Sequence, residues 1–484
     1  MLLKIKGNHN SKVGCLFPYQ LLFFPFQKYS PSTFQFILNF SCNFVSKIQT
    51  NKTPTMIRTK LLFALLLFSG ITIAQNVIAQ NVNFTLNECI EYAFGNSYTR
   101  KTMLLNEESQ TESLKGAKAS LTPSVSASLG ESLSHRGTET DVNFGGNINI
   151  GANITLYNGG SLRGSIKQSE LQLEQSKAQT AQYDQNLTIQ IVQQFVTILG
   201  QRELIKYQEQ LLSTSQQQLD EGKRKFAVGA ILESDYLLLE AQHATNETNL
   251  LDSKSSLSNS LLALKCLLSM DPLTNFDIIE PETEVIEAMR IVPTQEEAIN
   301  GALKNRPDMQ LSENSLAIAQ TSLKIARSGY IPSISASASV GTSHSNFNNF
   351  GNQIVDNLSQ NVGISVSIPI YDRSQTRTRV RQAKLAINQA ELEHQQTELD
   401  IRQTIVQTYL DVMTSMAKYD SNTKKSEAWR KTFDAYSAQF RLGAITTVEL
   451  LQQQNSYISA LNDYIQAKYN FMLKREILNI YMGN

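Results

Sequence analysis

The sequence predicts a mainly helical chain with a small β part: long antiparallel coiled-coil helices and two β-hairpins. Three observations carry this expectation. Two stretches, 161–226 and 374–441, run without a proline and with apolar residues at helical spacing. Two other regions alternate apolar and polar residues with a period of two, the mark of a two-faced strand. And the whole arrangement is written twice.

The duplication rests on four matches in order. Thr85-Leu-Asn-Glu-Cys-Ile-Glu-Tyr-Ala93 resembles Thr294-Gln-Glu-Glu-Ala-Ile-Asn-Gly-Ala302, and Pro123-Ser-Val-Ser-Ala-Ser128 resembles Pro332-Ser-Ile-Ser-Ala-Ser337, both at an offset of 209. Ile154-Thr-Leu-Tyr-Asn158 resembles Ile368-Pro-Ile-Tyr-Asp372, and Phe226-Ala-Val-Gly-Ala230 resembles Phe440-Arg-Leu-Gly-Ala444, both at 214. A hairpin loop absorbs the change between the two offsets. The expected halves are 80–270 and 294–484, joined by a Pro-containing linker over 271–293.

Each half follows one order. A first helical segment, about 86–120 and 295–329, stops before a proline, as helices commonly do. Hairpins follow at 123–157 and 332–371. Val125, Ala127, Leu129 and Leu133 alternate with Ser124, Ser126, Ser128 and Ser132; Ile148, Ile150, Ala152, Ile154 and Leu156 alternate with Asn, Gly and Thr. Ile334, Ala336, Ala338 and Val340, then Val362, Ile364, Val366, Ile368 and Ile370, repeat the pattern. Polar loops are expected at 134–143 and 342–357, and place His135 and His344 in solvent. Helix pairs close each half at 161–270 and 374–482. Each long helix is expected to span roughly 100 Å. Ile189, Val192, Phe195, Val196 and Leu199 mark one stripe, and Ile401, Ile405, Tyr409, Val412 and Met416 its counterpart. The helices turn at a glycine and return with Leu257, Leu261, Leu264 and Leu268, or Leu451, Ile458, Leu461, Ile465 and Met472, at coiled-coil spacing.

A soluble sandwich also alternates its strands. Four strands in two distant pairs are few for one, and their polar faces are Ser, Asn, Gly and Thr rather than charged residues. A lipid-facing barrel with a wet lumen explains both features. Two hairpins cannot close a barrel, and open edges are not tolerated in lipid. Other copies of the chain must complete it. Tyr157 and Tyr371 end the descending strands, where a membrane interface falls.

Composition excludes other classes. The 484 residues carry 43 Lys+Arg and 43 Asp+Glu, so no net charge argues for nucleic acid. Hydrophobic content of 41% is too low for a polytopic helical membrane protein. Met56 opens a charged segment, an apolar run Leu61–Phe68 and small residues to Ala79, which reads as a secretory signal peptide over 56–79. Residues 1–55 precede that start and are expected to be untranslated. Cys89 and Cys266 lie far apart and read as unpaired helix cysteines. The sequence holds no P-loop, HExxH or GxSxG, so no enzyme activity and no cofactor is expected.

Further motifs resemble the TolC-like outer-membrane efflux protein family. They are Ala302-Leu-Lys-Asn-Arg-Pro-Asp308, the helix-to-strand junction Ala326-Arg-Ser-Gly-Tyr-Ile-Pro-Ser-Ile334, the strand-to-helix junction Ile154-Thr-Leu-Tyr-Asn-Gly-Gly160, and the turns Phe226-Ala-Val-Gly229 and Phe440-Arg-Leu-Gly443. The likeness covers about 80–484. It implies a homotrimer in outer-membrane lipid, with a 12-stranded transmembrane β-barrel and a periplasmic α-barrel. It implies a passive channel fed by a periplasmic adaptor and an inner-membrane pump, exporting drugs, metals or other toxic solutes. A duct for type I protein secretion is the alternative, and a periplasmic coiled-coil adaptor or scaffold the second.

By the same resemblance, Ala227, Val228, Gly229, Ala230, Arg441, Leu442, Gly443 and Ala444 form the adaptor-docking tip. Asp235, six residues after Gly229, and Glu449, six after Gly443, fall at matching places, and with Ser234 and Phe440 are expected to line the channel constriction. Converging acids repel, raise some pKa values and attract cations; a solvated helix face is the plainer alternative. Where some relatives carry a Tyr and a basic residue, this chain has Phe440 and Ile445, so closure is expected to rest on apolar packing. Arg373, Arg377, Arg379, Arg381 and Lys384 read as a helix face at the barrel junction, or as a lipid-headgroup contact.

Overall fold

The computed structural model describes residues 82–135, 142–281, 289–345 and 349–483. The upstream segment and the signal peptide lie outside them. A short strand, β1 (Val82–Phe84), leads into α1 (Leu86–Asn96) and α2 (Tyr98–Ala119). The hairpin β2 (Ser124–His135) and β3 (Val142–Asn158) follows, then the helix pair α3 (Ser161–Ala227) and α4 (Glu233–Leu267). A strand β4 (Phe276–Ile278) lies within the linker. The second half runs α5 (Gln295–Asn305), α6 (Pro307–Ser328), β5 (Ser333–His344), α7 (Phe350–Asp356), β6 (Ser359–Ser367), α8 (Gln375–Arg441) and α9 (Thr447–Met482).

The first segment of each half is two helices where one was expected. Thr85 and Glu88, and again Thr294 and Glu297, form capping boxes that start α1 and α5. α1 stops at Ser97, whose hydroxyl accepts from the N–H of Arg100 and starts α2. α5 stops at Arg306, held extended at φ −72° and ψ 131° because Pro307 follows it. Pro307 then opens α6 from its first turn, where its missing N–H costs nothing. The linker also holds more order than expected. β4 pairs in parallel with β1, and Phe276 packs edge-on against Phe84.

The two hairpins join into one antiparallel sheet of order β2-β3-β5-β6. Its register sorts the residues. Across the strands, Ala127, Ile150 and Val340 make one row and Leu129 meets Ile148. The next rows read Ser126, Gly151, Ser339 and Asn361, then Ser128, Asn149, Gly341 and Ser359. One face is thus mainly apolar, with Glu131, Thr342 and Gln360 as exceptions, and the other small and polar. Val125, Leu129, Ile364 and Val362 stand exposed on the apolar face. β2 and β6 are the edges, each with one unpaired side.

Three expectations about the sheet are corrected. The last strand ends at Ser367, so Ile368 and Ile370 lie beyond it, with Pro369 between them. The loops are shorter: β2 and β5 run on to His135 and His344, β3 starts at Val142, and α7 occupies part of the second loop. His344 is buried, not solvated, between Phe144 and Phe350. Its Nε2 meets Glu131 at 3.1 Å across Gly146, the residue paired with both.

α3 and α8 are 67 residues each, about 100 Å at 1.5 Å per residue. α2 packs on α3, α3 on α6 and α6 on α8, while α4 and α9 return along α3 and α8. The core repeats with the sequence. Cys89, Ala93, Leu187, Ile191, Ile198 and Leu264 form one cluster; Ala298, Ala302, Ile401, Ile405, Val412 and Leu478 form another, at the same two offsets. Each fully buried Leu or Ile contributes roughly 1.5–3 kcal/mol. Cys89 and Cys266 are unpaired, and burial pushes the Cys89 thiol up to about 12. Among the described residues no helix is long and apolar enough to cross a membrane.

Candidate functional site at the helix tips

Both long helices end in the same turn. Ala230 N–H donates to the Lys225 carbonyl (2.8 Å) and Gly229 N–H to Phe226 (2.9 Å); Ala444 donates to Gln439 (3.0 Å) and Gly443 to Phe440 (3.0 Å). This bond pair satisfies the last helical carbonyls but needs a left-handed residue. Gly229 (φ 73°) and Gly443 (φ 74°) supply it. Nothing lies within 4 Å of a Cβ at either place, so backbone conformation alone selects glycine. Ala227, Val228, Ala230, Arg441, Leu442 and Ala444 are all exposed, with Val228 and Leu442 protruding as apolar knobs.

Asp235 and Glu449 are each the third residue of a return helix. Acids there favour the positive helix N-terminus. The two are otherwise unlike. Thr446 caps α9 reciprocally: its hydroxyl accepts from Glu449 N–H (3.2 Å), and its own N–H donates to Glu449 Oε2 (2.8 Å). Those bonds, the backbone N–H foremost, hold the exposed Glu449 carboxyl below the usual range. Within one chain this is opposite to the rise expected for converging acids. In the first tip Leu232 stands at the cap and offers no side-chain bond. Asp235 is half-buried and Ser234 exposed.

Phe440 lies in the tip core, 3% exposed, with Leu239, Phe433 and Leu450; Ile445 packs against the same cluster. Its counterpart Phe226 is exposed and stacks on Tyr236. A residue the sequence reading passed over ties the tips together. Lys225 Nζ donates to the Phe440 carbonyl at 2.6 Å and sits 4.4 Å from the Phe440 ring centre. Glu221 orients it from one turn back, at 3.1 Å. That acid–base pair four residues apart was the available signal. Gly222 faces Leu239 so closely that a Cβ would come within 2.5 Å, which brings α4 against α3.

Above the tips a cleft of about 520 Å³ separates the hairpins, lined in part by Arg430, Asp434, Arg441 and Asn246. Gln218, Asn246 and Gln454 are buried nearby, so the interior here is polar rather than oily. At the other end of α8, Arg373, Arg377, Arg379, Arg381 and Lys384 are exposed. None forms an ion pair among the described residues.

Known proteins share this fold. The family described as outer membrane efflux protein matches residues 101–269 and 298–484. Outer membrane protein TolC of Escherichia coli K12 is 23% identical over 69% of this chain and 73% of its own. The alkaline protease secretion protein AprF of Pseudomonas aeruginosa is 22% identical over 66% of this chain and 65% of its own. The crystal structure of outer membrane protein VceC from Vibrio cholerae superposes with a TM-score of 0.71, at 15% identity, over 82% of this chain and 96% of that one. The chain belongs to the outer membrane efflux protein family, a family of channels rather than enzymes, and is an efflux channel of the outer membrane with a periplasmic helical part.

Proposed function

We propose that three copies of this chain form the passive outer-membrane duct of a tripartite export system for drugs, metals or other toxic solutes. The supporting observation is the single sheet with one apolar and one small polar face, both edges open, above helices about 100 Å long. Three such sheets give 12 strands, with the polar face inward and the apolar face on lipid. The two halves, 80–270 and 294–484, then act as repeats that double the number of walls each chain supplies.

The tips carry the second part of this reading. Val228, Leu442 and the glycine turns between them dock a periplasmic adaptor coupled to an inner-membrane pump. Asp235, Ser234 and Glu449 ring the constriction, and Phe440 sets its closed packing from within. A cationic dye tests the function. Cells lacking the gene accumulate ethidium, the intact chain restores export, and a chain with Gly229→Pro and Gly443→Pro does not. Unchanged accumulation without the gene would contradict small-molecule export.

A second reading, a duct for type I protein secretion, is supported by the likeness to AprF, a protein named for protease secretion. Loss of a secreted protein with no change in dye export would favour it.

A further inference from the structure

The start of α8 carries charge that the fold does not ask for. Arg373, Arg377, Arg379, Arg381 and Lys384 follow one another with no acid between Arg373 and Ala390. Asp372, just before them, is already engaged: its Oδ2 accepts from the Thr376 N–H at 2.7 Å. All five cations are exposed. Among the described residues their one side-chain hydrogen bond runs from Arg379 to Gln375, at 3.5 Å.

The repeat supplies the control. Carried back by 214, the five positions become Gly159, Arg163, Ser165, Lys167 and Glu170, at the entry to α3. The first half builds the same junction with two cations, and Glu170 meets Lys167 at 3.4 Å. Arg373 holds a φ of 55° where Gly159 holds 65°. The left-handed conformation costs an arginine what it does not cost a glycine. Cations in the first turns of a helix also oppose its dipole. Lys118 and Arg327 differ, because they close α2 and α6, where the dipole favours them. Helix formation therefore works against the first cations of α8, and no packing contact rewards them.

Their position shows what does. Ile370 and Tyr371, 94% and 82% exposed, stand just before Arg373. The chain thus passes from the apolar sheet face through an exposed tyrosine to guanidiniums within a few residues. That is the order met on leaving the hydrocarbon core for the headgroups. Arg377 and Arg381 follow about 3 and 9 Å along the helix from Gln375, within reach of the headgroup layer for side chains that extend toward it. α8 meets α6 through a stripe that includes Thr376, against Gly329, and His394, 3.0 Å from Ser312. At 3.6 residues per turn, Arg377, Arg381 and Lys384 stand on one side of that stripe and Arg379 on the other. Both free sides of this helix are basic, the side toward the membrane included.

We infer that the start of α8 binds anionic phospholipid, its guanidiniums holding headgroup phosphates of the leaflet around the helical end of the barrel. This rests on the barrel reading above and adds the lipid class and the residues that select it. Four of the five cations are arginines, whose planar fork matches phosphate oxygens two at a time. A cluster of cations without acids favours a headgroup of net negative charge over a zwitterionic one. The phosphate is a lipid's rather than a free ion because Ile370 and Tyr371 offer apolar surface beside it for the acyl chains.

The test is native mass spectrometry of the full-length protein, purified in detergent with equal amounts of phosphatidylglycerol and phosphatidylcholine. The wild type is expected to retain phosphatidylglycerol several-fold over phosphatidylcholine. Arg377→Gln, Arg379→Gln and Arg381→Gln together are expected to abolish that preference without lowering the thermal midpoint in detergent alone. The three matching Arg→Lys changes are expected to keep much of it. Equal retention of the two lipids by the wild type overturns the inference, and so does a preference that survives in the Gln variant. Displacement of the lipid by an equal concentration of inorganic phosphate assigns the surface to the free ion and overturns it as well. Alkaline washing of membranes tests the barrel separately. A chain that washes out overturns both readings, whereas one that stays embedded but shows no lipid preference overturns the phospholipid surface alone.

Discussion

The two halves of this chain, alike in the order of their elements, differ at their turns. Where β3 enters α3, Gly159 and Gly160 adopt left-handed conformations (φ 65° and 86°); at the matching place before α8 stand Arg373 and Ser374 (φ 55° and 62°). At the tips, α9 begins with the Thr446–Glu449 capping box, whereas α4 begins at Leu232 with no side-chain cap. Phe440 is buried and its counterpart Phe226 exposed. The first half is relaxed at its junction and loosely started at its tip. The second is strained at its junction and firmly started at its tip. The two halves share the order of their elements and differ in the mechanics of their turns.

The largest effect is expected at the first junction. A Cβ at Gly159 would come within 2.9 Å of both Ile331 Cβ and the Ser328 carbonyl. Gly159→Ala adds that clash to the left-handed penalty and costs about 3 kcal/mol, read as a lowered thermal midpoint in detergent. Arg373→Gly removes a penalty of about 1 kcal/mol and raises the midpoint. If both changes act in the same direction, the comparison of junctions is wrong.

The tether between the tips comes next. Lys225→Met keeps the stem but loses the charge-assisted bond to Phe440, about 2 kcal/mol. Hydrogen exchange of the amides following Gly443 is expected to quicken, with the sheet amides unaffected. Equal protection in both proteins would show that Lys225 does not tie the hairpins.

The caps give smaller effects. Thr446→Ala costs about 1 kcal/mol at the second tip, while Leu232→Thr stabilises the first by a similar amount. Acid distinguishes them too. Glu449 is held below its usual range in the folded chain, so its contribution is present above the unfolded value, about 4.3, and fades as pH falls through the folded one. Exchange at the second tip is expected to rise below about pH 4 and to lose that dependence in Glu449→Gln. A pH response that persists in Glu449→Gln assigns it to another group.

The repeat made much of this legible beforehand. The 67-residue helices, the alternation of β2 and β3 and both glycine turns follow from period and punctuation, which are local properties. The breaks at Ser97 and Arg306 were written in Ser97 as a cap and in Arg306-Pro307, but were masked by continuous apolar spacing. α7 and the strand β4 had no such signal, being short elements fixed by tertiary pairing. Phe440 shows the limit most clearly. Its place in a matched motif gave its height along the helix, whereas its burial depends on Leu239 from the other half. Lys225 was legible only as the partner of Glu221 one turn back; its tie to Phe440 was hidden, because a backbone carbonyl has no residue signature.

We propose a conduit closed at its tips by packing around Phe440. The most direct test is conductance of the purified chain in planar bilayers. The wild type is expected to give small, discrete steps, and Phe440→Ala with Ile445→Ser several-fold larger ones. Steps of unchanged size from the inserted double variant would contradict closure by this packing, and folded, inserted protein that gives no steps at all would contradict the conduit itself.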